Sequence, residues 1–281
     1  MIWQLPNESF ELEGIYFERV MQIEDYPLSA IQLSIGGHIA LLTLHHPPVN
    51  LADQILQTDL LKLCDYLNAS DDVWVVMMHS DLKTFCAGVD VKRFYESAVM
   101  GQVSPVQQVF YDGALALYQL KQPVICAVHG YCLGGGMCYP AGSDICLAAK
   151  GTQFGAPEIN LFVVGGSGHL ARLVPPQVMR QLAYTGEWIT AEQLAQYGGV
   201  TAVVPESQLI SEALRLAKQL CEKGKRALWA LKACMNAQED WQMDRKNKLE
   251  VHYTAELAKF DDFMVSLNAF IEKRPRVLKN D

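Results

Sequence analysis

Pro123-Val124-Ile125-Cys126-Ala127-Val128-His129-Gly130-Tyr131-Cys132-Leu133-Gly134-Gly135-Gly136 is the stretch whose reading decides the fold. Pro123 to Val128 is an apolar run of strand length, rich in β-branched residues. A glycine triplet follows, where the chain turns from strand into helix. Glycine has no Cβ, so a ligand can approach bare backbone there. N–H groups at a helix start point outward without intrahelical partners and favour negative charge. Farther on comes Pro157-Glu158, with Glu158 twenty residues past Cys138. Backbone donors and a carboxylate at one place are the parts of an enolate-forming site. The donors hold a carbonyl oxygen, and the carboxylate moves a proton at the adjacent carbon.

Outward from this stretch, strands alternate with helices. Ile39 to Leu44 reads as a strand that stops at Pro47-Pro48. Leu51, Ile55, Leu60, Leu63 and Leu67 recur at helical spacing. Trp74 to Met78 and Ile145 to Ala148 read as buried strands, and residues 105–120 as a helix. The alternation predicts an α/β core with parallel strands. Residues 190–197 and 206–223 have helical periodicity, separated by the strand-like Val200 to Val204. From Arg226 to Ile271 the pattern is helical throughout. Residues 1–30 are acidic and aromatic-rich, and form an arm or a first strand pair. The expected organisation is an arm over 1–30, a core over 31–225 and a C-terminal helical region over 226–281.

The chain has 281 residues, half of them hydrophobic, which is enough for a sizeable core. A net charge of −8 argues against a nucleic-acid surface. The eight cysteines match no metal-binding or disulfide spacing and read as buried thiols in a reducing compartment. Six acidic residues against Arg19 alone in the first 25 do not suit a secretory or transit peptide. No apolar run approaches the ~18 residues that a bilayer span needs. The expected setting is therefore the cytoplasm, with no metal, no membrane and no nucleic acid.

Four ordered segments resemble the crotonase superfamily, the enoyl-CoA hydratase/isomerase group. They are Lys121 to Gly136, Phe85-Cys86-Ala87-Gly88-Val89-Asp90-Val91-Lys92, Gln153-Phe154-Gly155-Ala156-Pro157-Glu158-Ile159, and Phe270-Ile271-Glu272-Lys273-Arg274. The resemblance covers roughly Ile31 to Arg276. It implies a spiral of ββα turns with a C-terminal helical region that packs in a homotrimer or hexamer. It also implies an acyl-CoA substrate of the kind met in fatty acid metabolism. No cofactor is implied beyond the coenzyme A carried by the substrate.

The resemblance assigns the thioester oxygen to the N–H groups of Val89 and Gly135, and the acid/base role to Glu158. A mostly apolar stretch around Glu158 would raise its pKa toward neutral. Cys138 departs from the hydratase pattern, which carries a second Glu there. A thiol is a poor substitute for a carboxylic acid, so isomerisation or lyase chemistry is easier to reach than two-glutamate hydration. Packing is the better reading of Cys138 than nucleophilic chemistry. Tyr139 is either an acyl-pocket phenol or packing, and Pro140 implies a short or bent helix. His169, in Gly165-Gly166-Ser167-Gly168-His169, is either an accessory acid/base or a packed histidine. Asp144 reads as structural.

Coenzyme A is expected beside Val49-Asn50-Leu51 and Ala87, mostly along backbone, with Lys92 and Lys273 near its phosphates. The acyl chain is expected against 93–110 and 160–170. Phe94, Tyr95 and Phe110 there suit an aromatic acyl group. Two alternatives stand beside the main expectation: a single-glutamate hydratase-lyase on an aromatic enoyl-CoA, and a catalytically quiet CoA-binding protein.

Overall fold

The computed structural model describes residues 9–23, 25–239 and 243–278, without the side chains at 104–106, 109, 110 and 243. The expected acyl contact at Phe110, and residues 1–8 of the expected arm, lie outside the described residues.

An eight-stranded sheet carries the core. Phe10–Leu12, Ile15–Val20, Ile31–Gly36, Ile39–Leu44, Val75–Ser80, Val124–Val128, Ile145–Ala149 and Ala202–Val204 lie side by side in chain order. The first three junctions are antiparallel and the last four parallel. From Phe10 onward the described part of the arm is a hairpin that joins the sheet, and the sheet runs unbroken across residue 30.

Central strands are apolar at almost every position because both faces are covered. Side chains alternate between the faces. Leu42, Val76, Met78, Val124 and Cys126 enter one core, and Leu41, Val75, Met77, Ile125 and Ala127 enter the other. The first core is closed by helix Gln54–Ala69 through Leu56, Leu60, Leu63 and Leu67, and by helix Val103–Tyr118 through Tyr111, Ala114 and Leu117. The second is closed by helix Leu209–Cys221, whose Leu209, Ile210, Ala213, Leu214 and Ala217 recur at helical spacing.

Helix Gln54–Ala69 begins three residues later than the Leu51 periodicity predicts. Asp53 is its N-cap and accepts from Ile55 N and Leu56 N, an interaction typically worth about 1 kcal/mol. Leu51 instead bridges to Gly88. The glycine triplet does not follow Val124–Val128 directly. A second short strand, Tyr131–Leu133, intervenes and belongs to a three-stranded sheet with Gln153–Gly155 at its centre and Trp188–Thr190 at its other edge. The triplet then opens a 3-10 helix, Gly134–Met137, followed by the five-residue helix Cys138–Gly142. Pro140 lacks an N–H donor, in keeping with so short a helix.

Among the described residues the C-terminal region forms three helices rather than one continuous pattern: Lys225–Gln238, Met243–Leu257 and Asp261–Ile271. Phe260 is extended and separates the last two. Helix Met243–Leu257 packs on Val103–Tyr118, and Asp261–Ile271 packs on Val91–Val99 through Phe94, Phe263 and Leu267. Among the described residues no helix is long and apolar enough to cross a membrane.

Candidate active site

Backbone hydrogen bonds bring the two glycine turns together. Ala87 N donates to Val49 O at 3.1 Å, and Ala52 N to Gly88 O at 2.8 Å. On the other side Cys86 N donates to Tyr131 O and Leu133 N to Cys86 O, both at 3.0 Å. The segment 85–88 is thus held between 49–52 and 131–133. Gly88 has φ +93, and a Cβ there would lie 2.8 Å from Leu133 O and 3.4 Å from Gly135 N. Only glycine permits both the dihedral and the approach.

Val89 and Gly135 line one cavity of about 480 Å³. Among the described residues the Val89 N–H has no backbone acceptor. Gly135 is the second residue of its 3-10 helix, so its N–H precedes the first intrahelical bond. Asp90 is spent on structure: it caps helix Val91–Val99 by accepting from Lys92 N and Arg93 N.

Glu158 lies in the 3-10 helix Pro157–Leu161, with proline at the first position, where no donor is lost. Its carboxylate sits between glycines. The Cβ position of Gly134 is 3.3 Å from Glu158 Oε1, and that of Gly166 is 3.3 Å from Oε2. Glu158 opens partly onto the cavity, and Oε2 has no hydrogen-bond partner among the described residues. Burial lifts its carboxyl to about 7, and the nearby Glu250 charge adds to the shift.

The accessory candidates separate. Cys138 lines the cavity but is buried, and burial, then Glu250 and Glu158, push its thiol well above the ordinary value. It is a neutral, packed thiol. His169 also lines the cavity, stacks on Tyr111 with centroids 5.6 Å apart, and is lowered by burial to about 4. Tyr139 does not line the cavity. It is fully buried, edge-on to Phe85, and its hydroxyl accepts from Gln57 Nε2 at 2.9 Å. Asp144 accepts from Val124 N and pairs with Lys232, a structural role.

Of the residues expected at coenzyme A, Ala87 lines the cavity. Val49 and Leu51 flank it through backbone contacts to Ala87 and Gly88. The Asn50 side chain is fully buried and donates to Ser80 Oγ, Thr84 O and Phe85 O, so it braces the turn rather than facing a ligand. Lys92 and Lys273 are exposed and outside the cavity lining. Phe94 lines the cavity, while Tyr95 packs beside it in the Phe263 cluster.

Sequence reasoning missed a polar cluster behind Gln107 and Tyr111, two residues that line the cavity. Glu250, from a C-terminal helix, is 4 % exposed and accepts from Tyr111 Oη at 2.5 Å, Ser167 Oγ at 2.6 Å and Gly168 N at 2.8 Å. Gln107 Nε2 donates to Tyr111 Oη at 3.3 Å and to Val164 O at 3.0 Å. Glu250 stands in a charged helical stretch that reads as a solvated face, so nothing local marks it. Among the described residues no group of three His, Cys, Asp or Glu could hold a metal ion.

The cavity joins the Val89 and Gly135 turns to one carboxylate, in an α/β core with a C-terminal helical region. The sequence model described as Enoyl-CoA hydratase/isomerase matches residues 34–281, and the chain belongs to that family. A Mycobacterium tuberculosis protein named (7aS)-7a-methyl-1,5-dioxo-2,3,5,6,7,7a-hexahydro-1H-indene-carboxyl-CoA hydrolase is 31% identical over 219 residues, covering 78% of this chain and 89% of that protein. The short-chain-enoyl-CoA hydratase of Clostridium acetobutylicum is 30% identical over 258 residues, covering 88% and 96%. The crystal structure of carnitinyl-CoA hydratase from Mycobacterium avium superposes with a TM-score of 0.78 at 26% identity, covering 90% of this chain and 99% of that one.

Proposed function

We propose that the cavity takes an acyl-CoA thioester with its carbonyl oxygen between the Val89 and Gly135 N–H groups and its α-carbon facing Glu158. One observation carries this reading: a carboxyl lifted to about 7 lies against the turn that presents the Gly135 N–H. Near neutral pH such a group can both take and return a proton. Removing the α-proton sends the electron pair to the thioester oxygen, where two backbone donors stabilise it. With Cys138 neutral, Glu158 is the single carboxylate for the proton steps. It returns its proton to another carbon in a double-bond shift, or to a departing hydroxyl in an elimination.

Coenzyme A lies along Ala87 and the 49–51 backbone, with Lys92 and Lys273 reaching toward its phosphates. The reaction needs no other cofactor. The chain works in the cytoplasm, in fatty acid metabolism, as a homotrimer or hexamer assembled through residues 226–281. The exposed Leu231, Met235, Leu249 and Tyr253 on those helices support that assembly.

A second reading is hydrolysis of a ring-bearing acyl-CoA, favoured by the hydrolase relative and by Phe94, Trp188 and Phe270 at the cavity. Glu158 takes a proton from water, and the hydroxide oxygen adds to a ring ketone. The carbon–carbon bond then breaks, its electron pair passes to the carbon beside the thioester, and Glu158 returns the proton there.

Exchange of the α-protons of butyryl-CoA in D₂O tests the acid/base reading. The native protein is expected to exchange them and Glu158→Gln to lose the exchange. Equal exchange in both would remove Glu158 from the role.

A further inference from the structure

Glu158 Oε2 has no hydrogen-bond partner among the described residues, and glycines flank the carboxylate. Its position therefore depends on the short element that carries it, the 3-10 helix Pro157–Leu161. Such a helix has poorer hydrogen-bond geometry than an α-helix and relies on its surroundings to stay in place. This one ends abruptly. Phe162 has φ +62, a left-handed conformation that residues other than glycine rarely adopt. Leu161, Phe162 and Val163 then join Phe94, Phe263 and Leu267 in an apolar cluster apart from the main cores.

The C-terminal tail reaches this element from outside. Helix Asp261–Ile271 packs along it and brings Phe270 to the cavity. The chain then turns back: Lys273 has φ +54, and Arg274 N donates to Ala269 O at 3.0 Å. Pro275 follows with its fixed φ. Arg276 Nη1 then donates to Ile159 O at 3.0 Å and to Asn160 O at 3.1 Å. These are the two carbonyls directly after Glu158, at the end of its helix. Backbone oxygens there run out of intrahelical donors and carry partial negative charge, which a guanidinium matches. Ile159 O has a second lone pair to offer, since Phe162 N already donates to it at 3.1 Å. Asn160 itself lines the cavity, so the exposed Arg276 grips a wall residue from the solvent side.

We infer that Arg276 is a positioning residue for the proton transfer: it ties the C-terminal tail to Ile159 O and Asn160 O and so holds the Glu158 carboxylate at the reacting carbon. It acts through the helix Pro157–Leu161 and touches neither substrate nor reacting atoms. This rests on the acyl-CoA reading with Glu158 as the acid/base. Without the tie the end of the helix loosens, and water reaches a carboxylate that burial otherwise shields. The titratable groups around Glu158 are Glu250, Cys138, Tyr111 and His169. Arg276 bonds backbone oxygens rather than any of these. A change in the titration of Glu158 on loss of Arg276 therefore reports the helix.

Exchange of the α-protons of butyryl-CoA in D₂O, followed across pH in the full-length protein, tests it. Arg276→Ala should lower the high-pH plateau about tenfold to hundredfold, the typical cost of a misplaced catalytic group. The midpoint should also fall by about one pH unit from about 7, toward the ordinary glutamate value. Butyryl-CoA affinity should stay within a few fold. Arg276→Lys, which keeps a charged donor within reach of both carbonyls, should hold the midpoint near the native one. Arg274→Ala removes a neighbouring charge that pairs with Glu272 instead, and should leave plateau and midpoint unchanged. Arg276→Met gives the reading if Arg276→Ala does not fold. An unchanged profile in Arg276→Ala, a lower plateau with an unshifted midpoint, or the same effect from Arg274→Ala would overturn the assignment. Absence of exchange in the native protein is a separate result and overturns the acyl-CoA reading beneath it.

Discussion

Gly134 and Glu158 face each other across the turn: a Cβ on Gly134 would lie 3.3 Å from Glu158 Oε1. Gly134 also has φ +52. Gly134→Ala therefore meets a backbone cost of about 1–2 kcal/mol and a crowded carboxylate. Turnover should fall and the melting temperature should drop. Steady-state kinetics beside a melting curve check both, and native-like kinetics would mean that the turn relaxes without moving Glu158.

Glu158→Gln should lower turnover by about 10²–10⁴, the typical worth of one acid/base group, while CoA-thioester affinity stays within a few fold. In the native protein the α-proton exchange rate should rise with pH through about 7, because the ionised carboxylate is the base and burial raises its pKa. A midpoint near the ordinary glutamate value would show Glu158 to be solvated.

The same shift predicts a stability difference. Between the unfolded glutamate value near 4.5 and about 7, the native state holds a proton that the unfolded state has lost. Stability from this group is therefore lost as pH rises through that window. His169, lowered by burial to about 4, acts with the opposite sign between 4 and 6.5. Glu158→Gln cancels only the first contribution. Its stability relative to native should be greater at pH 8 than at pH 5, as read by denaturant unfolding at each pH.

Cys138→Ala should retain most activity, because a thiol held neutral transfers no proton at pH 7. Cys138→Glu should lower the melting temperature, since it buries a third carboxyl beside Glu158 and Glu250. A stable Cys138→Glu protein with faster crotonyl-CoA hydration would show that the site accepts a second carboxylate.

Lys232 is 2 % exposed, and donates to Asp144 Oδ2 at 2.8 Å and to Gln122 O at 2.9 Å. Asp144→Ala leaves that ammonium buried and without its counter-charge, at a cost of about 3–5 kcal/mol. Adding Lys232→Met should recover part of the loss by removing the uncompensated charge. Chemical denaturation of the single and double variants reads both effects.

The sequence alone determined what depends on neighbours in the chain. Apolar runs broken by glycine and proline set the strands, and alternation with helices set the α/β class. The glycine triplet and Pro157-Glu158 marked a candidate donor turn and a candidate carboxylate because their backbone demands are local. Only the tertiary structure decided the polar cluster behind Tyr111. Tyr111 and Glu250 are 139 residues apart, and neither carries a local mark of its partner. It also decided that Asn50 and Tyr139 are bracing residues, since burial and long-range bonds fix where a side chain points. The raised pKa of Glu158 belongs to both levels: an apolar stretch suggests desolvation, but the packing of Gly134 and Gly166 and the charge of Glu250 set its size.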